Sequence, residues 1–382
     1  MNETGCYPAE QPIEQPKTTS CSPSNAKAQL SLPSIKQPFV IGSIETPVGP
    51  VPQVSSSLTW ADRLGAYKSR WGINRMNYMI DPGLYALGNP DDRSHVLVTA
   101  NYKMSFDKLR KELSGRSLWI LVLDTKGVNV WCSAGKGTFG TMELVGRIES
   151  SGLSKIVSHR VLILPQLSGP GVAAHDVKKL SGFKVIYGPI RAKDLPTFLD
   201  SGLKATPEMR FKTFPTWERV VLIPMELVQA LRAGVIIILV FFLFSFVGRL
   251  GEGWVNVLSH GFFSALAILT AILAGAVLTP VLLPWLPGRA FSLKGLSIGL
   301  VAAFILVAFR WSNGIGWAGR LEIVAWFLLI PALSAYLAMN FTGASTYTSL
   351  SGVKKEMRWA LPLQIGAAVV GFVLWIGSQF IV

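Results

Sequence analysis

Cysteine is scarce: three in 382 residues, at Cys6, Cys21 and Cys132. That excludes a disulfide framework, and it excludes an iron–sulfur cluster of the chain's own, which takes runs such as C-x2-C-x2-C. Histidine is nearly as rare. His95, His159, His175 and His260 are the only four, which limits imidazole chemistry in the same way. Charge is short too, at 15%, against roughly 25% in a soluble globular protein. A wholly soluble protein is therefore not expected. Acidic residues are the scarcer sign, 22 against 36 basic, for a net charge of +14. The start, MNETGCYPAEQ, lacks the basic and apolar regions of a signal peptide.

What is present divides the chain into three. Residues 1–57 are rich in Pro, Ser and Gln, show no period and hold few large apolar side chains. Such a segment buries too little to offset its ordering entropy, so a disordered tail is expected there, carrying Cys6 and Cys21. Residues 58–228 have a soluble composition. Residues 61–231 alone hold 24 basic and 15 acidic side chains. Residues 229–382 have a membrane composition.

A bilayer-spanning helix takes about 20 mainly apolar residues. Five such runs occur, at about 231–248, 258–283, 291–309, 321–339 and 359–381. The breaks carry turn residues: Gly251 and Gly253, the Pro284–Pro287–Gly288 cluster, and Asn313–Gly314. With the soluble part in the cytoplasm, Arg219, Arg232, Arg289, Lys294, Lys354, Lys355 and Arg358 fall on the inner side, and Arg249, Arg310 and Arg320 on the outer. That bias has the expected sign for a multi-pass protein of the inner (cytoplasmic) membrane. The polar run 340–356 is expected on the same side as the soluble domain. No carboxylate or Lys lies well inside a span, and Glu322 and His260 fall near span ends. Spans so poor in mid-depth polar groups are expected to anchor rather than transport.

In the soluble part, β-branched runs at 95–101, 117–124, 160–165 and 184–188 read as strands. Segments of helical spacing follow them at 104–114, 138–151, 171–180 and 194–201. Alternation of this kind predicts a Rossmann-like α/β domain with a parallel sheet. Ligands of such sheets bind beyond the carboxyl ends of the strands. The loops at those ends are Asn101–Tyr102, Asp124–Lys136, Gln166–Gly171 and Gly188–Arg191.

The second of these loops places Cys132 beside Trp131 among Gly127, Gly135, Gly137 and Gly140. A Walker A phosphate loop fails, because Val130 stands where its first Gly belongs and Gly137 follows Lys136 in place of Ser or Thr. The dinucleotide pattern G-x-G-x-x-G matches Gly135, Gly137 and Gly140 but falls after the second strand, not the first. A cysteine nucleophile needs a base, and nothing local pairs His159 or His175 with Cys132. From the residues alone, a buried structural thiol and a ligand-binding thiol both remain open.

Residues 129–136, Asn-Val-Trp-Cys-Ser-Ala-Gly-Lys, match at each position the cap-helix motif of the HgcA family, the corrinoid proteins of microbial mercury methylation. The resemblance extends over about 80–382 and takes in the runs Gln166–His175, Tyr187–Ala192 and Asn340–Val353. It implies a corrinoid cofactor of cobalamin type, with Cys132 as the lower axial ligand of cobalt and the catalytic residue. The His-ligated pattern D-x-H-x-x-G is absent, since none of the four histidines fits it. The resemblance further implies a cofactor-binding shell of Asn129, Val130, Trp131, Ser133, Ala134, Gly135, Lys136, Gly137, Thr138, Gln166 and Gly188. In that shell Asn129 would fix the helix, Trp131 pack on the corrinoid and Lys136 meet its side-chain amides.

The activity implied is methyl transfer from cobalt to Hg(II), forming methylmercury. An electron-rich thiolate below the metal would favour it, as thiolates do in haem. Hg(II) prefers two soft thiolates, and the folded part offers only Cys132. A ferredoxin-like iron–sulfur protein supplying electrons and a cysteine pair is therefore the expected partner, with a methyl-donor methyltransferase of the folate one-carbon pathway and the membrane, and no nucleic acid. Two alternatives stand beside this: a corrinoid methyl carrier of one-carbon metabolism with another acceptor, and a non-enzymatic membrane sensor or transporter.

Overall fold

The computed structural model describes residues 30–248, 254–310, 317–341 and 350–380. The soluble part is built on a seven-stranded sheet: β1 (Val40–Thr46), β2 (Gly49–Val54), β3 (Gly83–Leu87), β4 (Val96–Ala100), β5 (Leu118–Leu123), β6 (Val161–Leu164) and β7 (Lys184–Tyr187). Their order is β1-β2-β3-β5-β4-β6-β7. The run β5-β4-β6-β7 is parallel, as alternation of strand and helix requires. The four expected strands and helices are all present. The sheet as a whole is mixed, because β3 runs antiparallel to β5 and β1 and β2 form a hairpin.

The expected disordered tail 1–57 is corrected by that hairpin. Val51 and Val54 are fully buried in it, and Phe39 just before it is buried too. The prolines concealed it, since Pro argues against a strand interior. Pro50 and Pro52 lie on the stretch of β2 that faces only β1; β3 meets β2 at Gln53 and Val54 alone.

Helices cover both faces. On one side α4 (Thr141–Ser150), α5 (Leu153–Ile156) and α6 (Ala174–Ser181) bury Leu144, Leu153 and Val177 against Val98, Leu121 and Leu162. On the other, α2 (Lys103–Glu112) and α7 (Leu195–Asp200) bury Phe106 and Phe198 against Leu97 and Ile120. A helix missed by the sequence pattern, α1 (Trp60–Arg70), starts with a capping box of Thr59 and Asp62. It is tied down by a charged cluster. Lys103 lies 2.5 Å from Asp62 and 2.7 Å from Asp107, and Arg110, with no exposed surface, lies 2.8 Å from both carboxylates. Burial alone would raise the Asp62 pKa. Hydrogen bonds from Lys103 and the Thr59 backbone, with the Lys103 and Arg110 charges, outweigh it and pull the value down to about 2.

After α3 (Val130–Lys136) and the other soluble elements, a short α8 (Thr216–Val220) leads into the apolar helices. These are α9 (Ile223–Gly248), α10 (Trp254–Ile272) with its π-helical continuation Leu273–Leu278, α11 (Thr279–Leu282), α12 (Phe291–Arg310), α13 (Trp317–Asn340) and α14 (Leu350–Phe380). Five segments are long and apolar enough to cross a membrane: Thr216–Phe246, Leu258–Leu282, Phe291–Phe309, Trp317–Asn340 and Gly352–Phe380. They overlap the five expected runs and give this part of the chain the length and composition of a multi-pass membrane domain.

Small residues set the close helix contacts. A Cβ on Gly295 would lie 2.6 Å from the Ser334 carbonyl, and one on Gly299 2.7 Å from Pro331. Ser334 donates to the Gly295 carbonyl at 2.8 Å. Phe241, Trp326 and Trp375 fill the centre of the bundle. Glu322 is buried and lies 3.3 Å from His260, so the two near-end polar groups of the spans form one pair. Of the polar run 340–356, residues 342–349 lie outside the described residues, and residues 350–356 open α14.

Candidate functional site

The segment after β5 is organised by Asn101, which the sequence pattern placed at the end of a strand and in its loop with no part of its own. It is buried at the end of β4. Its side-chain oxygen accepts N–H groups from Thr125 and Gly127, each at 3.1 Å, and its amide donates to Asp124 at 3.2 Å. Two turn positions complete the bend. Lys126 takes φ 57 and pairs with Asp124, and Gly127 takes φ 69 because a Cβ there would meet the Met76 carbonyl at 2.9 Å. Burial raises the Asp124 pKa, but the Lys126 side chain and backbone N–H outweigh it and lower the net value.

This bend delivers the chain into α3. Asn129 is its N-cap and accepts the Cys132 N–H at 2.9 Å. Gly137 ends it in the left-handed region at φ 80. Of the sequence-expected shell, Val130 to Lys136 make up the helix itself. Ser133 and Ala134 are buried and turn to the protein, where Ser133 bonds back to the Asn129 and Val130 carbonyls. Gly171 lets the β6–α6 loop run directly under the helix, since a Cβ there would lie 2.9 Å from the Ala134 Cα. Seated this way, α3 turns Cys132 outward. The thiol is free and exposed, Trp131 is 37% exposed, and Gly135 and Lys136 are exposed beside them.

Next to α3, at the carboxyl ends of β4, β6 and β7, opens a cleft of about 560 Å³. Its walls include Val98 and Thr99 of β4, Leu164 and Pro165 after β6, Ile190 after β7, and Val130 of α3. Of the expected shell, Val130 alone lines the cleft. Gln166 accepts from Arg210 beside it, Gly188 closes β7 by donating to Leu164, and Thr138 donates to the Ser133 carbonyl at 3.4 Å. The far wall was not anticipated. It comes from Lys212, Pro215, Trp217 and Glu218, in the link to the first span and in α8. Glu218 pairs with Lys212 and lies 3.5 Å from Arg191.

The histidines are elsewhere. His95 and His159 precede β4 and β6, at the opposite end of the sheet, where His159 bonds to Ser94 at 3.0 Å. Burial, with some help from His159, lowers the His95 pKa. His175 is exposed, 3.4 Å from Asp176. A His-assisted cysteine nucleophile is therefore not assembled.

The donor set decides what group would fit. Among the described residues no three His, Cys, Asp or Glu side chains gather into a metal site. One outward sulfur on a capped helix, beside a cleft of ordinary ligand size with an apolar strand-end wall and a charged far wall, suits a metal whose other ligands arrive with an organic ring. The site fits a corrinoid in that sense.

Residues 74–199 match the family model of the CO dehydrogenase/acetyl-CoA synthase delta subunit. Similar proteins are acetyl-CoA decarbonylase/synthase complex gamma subunits. That of Methanopyrus kandleri is 35% identical over 124 residues, or 32% of this chain and 26% of the relative. That of Methanocaldococcus jannaschii is 31% identical over 122 residues, 31% and 25% of the two chains. The gamma 2 subunit of Methanosarcina thermophila is 31% identical over 128 residues, 32% and 26%. The chain thus spans about a quarter of the length of these relatives, and the family match covers β3 to β7 and α3 but not the β1–β2 hairpin, the Lys212–Glu218 wall of the cleft or any membrane helix.

Proposed function

We propose that the soluble domain is a corrinoid-binding methyl carrier of the kind found in acetyl-CoA decarbonylase/synthase complexes, held against a membrane by the five spans. The observation that carries this reading is the outward thiol of Cys132 on a capped helix beside the strand-end cleft, inside the region of family likeness. A bound cobalt corrinoid would supply a transferable methyl group. Cys132 would be its lower ligand. Trp131 and Val130 would pack on it, and Lys136 would meet its amide side chains. Asn129 would hold α3 in register by keeping the Cys132 N–H. The apolar cleft walls would exclude water from the bound face.

A finer reading concerns the acceptor. The Asn129–Lys136 motif, with an electron-rich thiolate in place of the usual His ligand, favours an electrophilic metal substrate, and we propose Hg(II), which would leave as methylmercury. The described residues offer no second cysteine, so a ferredoxin-like partner would bring electrons and a thiol pair, and a folate-pathway methyltransferase would bring the methyl group. The basic bias of the domain suits an acidic partner and makes the encounter salt-dependent. The membrane would be the inner one, with this domain in the cytoplasm.

The test is direct. Full-length protein purified with added cobalamin is expected to retain it and to show the optical spectrum of cobalt–sulfur ligation, whereas Cys132→Ala loses that spectrum and all methyl transfer. Cys132→His is expected to keep corrinoid and lose most activity. A wild-type spectrum without cobalt–sulfur ligation refutes the ligand assignment. Assay with Hg(II), a methyl donor and a ferredoxin separates the mercury reading from a carrier for another acceptor.

A further inference from the structure

A second cavity lies within the membrane helices, apart from the cleft at α3. It encloses about 620 Å³ between α9, α10, α13 and α14. Its lining is apolar except at a few points. Gln364 reaches it from α14 near the middle of the last span and is only 9% exposed. Neither its amide nitrogen nor its amide oxygen has a hydrogen-bond partner among the described residues. Trp326, 1% exposed, reaches the same cavity from α13, and its indole N–H is also unpaired. Gln364 also lines a neighbouring cavity of about 310 Å³, so its amide stands in the wall between two spaces.

Buried polar atoms of this kind keep the full cost of their lost hydration when left without a partner. Hydrocarbon cannot relieve that cost, because lipid offers nothing to bond with. An acyl chain would fill the space and leave all three groups as they are. The occupant must therefore carry a polar head to mid-membrane depth. The head is neutral, since no charged side chain lines the cavity. It is flat, since Phe241, Trp326, Tyr336 and Phe372 bound the space. It carries oxygens that accept hydrogen bonds, to meet the amide N–H and the indole N–H. The rim residues Ile365 and Val369 are exposed toward the lipid and leave a lateral way in for an apolar tail.

We propose that this cavity binds a neutral lipid-soluble ring with carbonyl or hydroxyl oxygens, a quinone or quinol with an apolar tail. Gln364 is its polar anchor and Trp326 the second donor. The ligand takes the space between α9 and α14 and needs nothing from the Cys132 site.

The probe is decylubiquinone, added to the full-length protein in phosphatidylcholine nanodiscs, with tryptophan fluorescence quenching and thermal shift as readouts. Wild type is expected to show saturable quenching and a rise in Tm. Gln364→Leu is expected to bind about tenfold more weakly, while its Tm without ligand stays at or above that of wild type, because unpaired polar atoms have been removed. Ala368→Phe, which fills the cavity one turn away, is expected to abolish saturation with the fold intact. Equal binding by wild type and Gln364→Leu overturns the proposal. So does quenching in all variants that rises linearly with quinone in the lipid, or a fall in ligand-free Tm on Gln364→Leu, which would mark the amide as a structural partner.

Discussion

At the scale of single residues, the site depends on side chains that never face the ligand. Asn129 holds the Cys132 N–H at 2.9 Å. Asn129→Ala is expected to lower stability by about 1 kcal/mol in a thermal melt, and to weaken corrinoid retention more than the melt alone would account for. Asn129→Asp should restore both. Gly171→Ala drives a methyl group toward the Phe139 carbonyl and the Ala134 backbone. It is expected to lift α3 and lose corrinoid with little change in the far-ultraviolet circular dichroism of the sheet. The strand-end loop that carries Asn129, Trp131 and Cys132 was legible in the alternation of strands and helices, whereas the part expected of these residues came from the motif resemblance alone. Asn101 was not legible, since its part is to gather N–H groups brought together only by the fold. Nor was Trp217, which reaches the cleft from a segment that reads as a membrane entry.

At the scale of elements, the four parallel strands were legible because each is a short β-branched run followed by a helical period. The antiparallel edge was not. Its β1–β2 hairpin lies in a Pro-rich stretch, and a pattern of prolines does not say which side of a strand lacks a neighbour. Removing residues 30–57 takes Phe39, Val51 and Val54 out of two buried clusters. Such a truncation is expected to give insoluble or protease-sensitive protein, visible in limited proteolysis. Among the membrane helices, Gly295 and Gly299 put α12 against the Ser334 and Pro331 backbone of α13. Gly299→Leu is expected to part these helices and lower the melting temperature in detergent, whereas Leu300→Ala, on an exposed face, should not.

For the whole molecule, α1, α2 and the segment after β2 are joined through Asp62, Asp107, Lys103 and Arg110, which donates to the Ser55 and Ser57 carbonyls. Asp62 in the fold titrates near pH 2 against an ordinary 3.8. A lowered folded value stabilises above the ordinary value, so the contribution is complete above about pH 4 and is lost as pH falls toward 2. Asp62→Asn is expected to flatten that stretch of the acid-unfolding curve and to lower stability at neutral pH, because buried Arg110 then loses one carboxylate. A different consequence follows from the cleft wall. Trp217 and Glu218 belong both to that wall and to the opening of the first span, and Pro215 of the same wall caps that opening. Arg219 fastens the same turn, donating to Phe214 at 2.7 Å and to Val281 at the end of the second span at 3.3 Å. The cleft is therefore tied to the helix bundle through α8 and Arg219. A tilt of the first span moves one wall of the cleft relative to the strand ends opposite. Any partner confined to the same surface searches for Cys132 in two dimensions rather than three, so encounter depends on how densely both are packed in the membrane rather than on the volume of the cell.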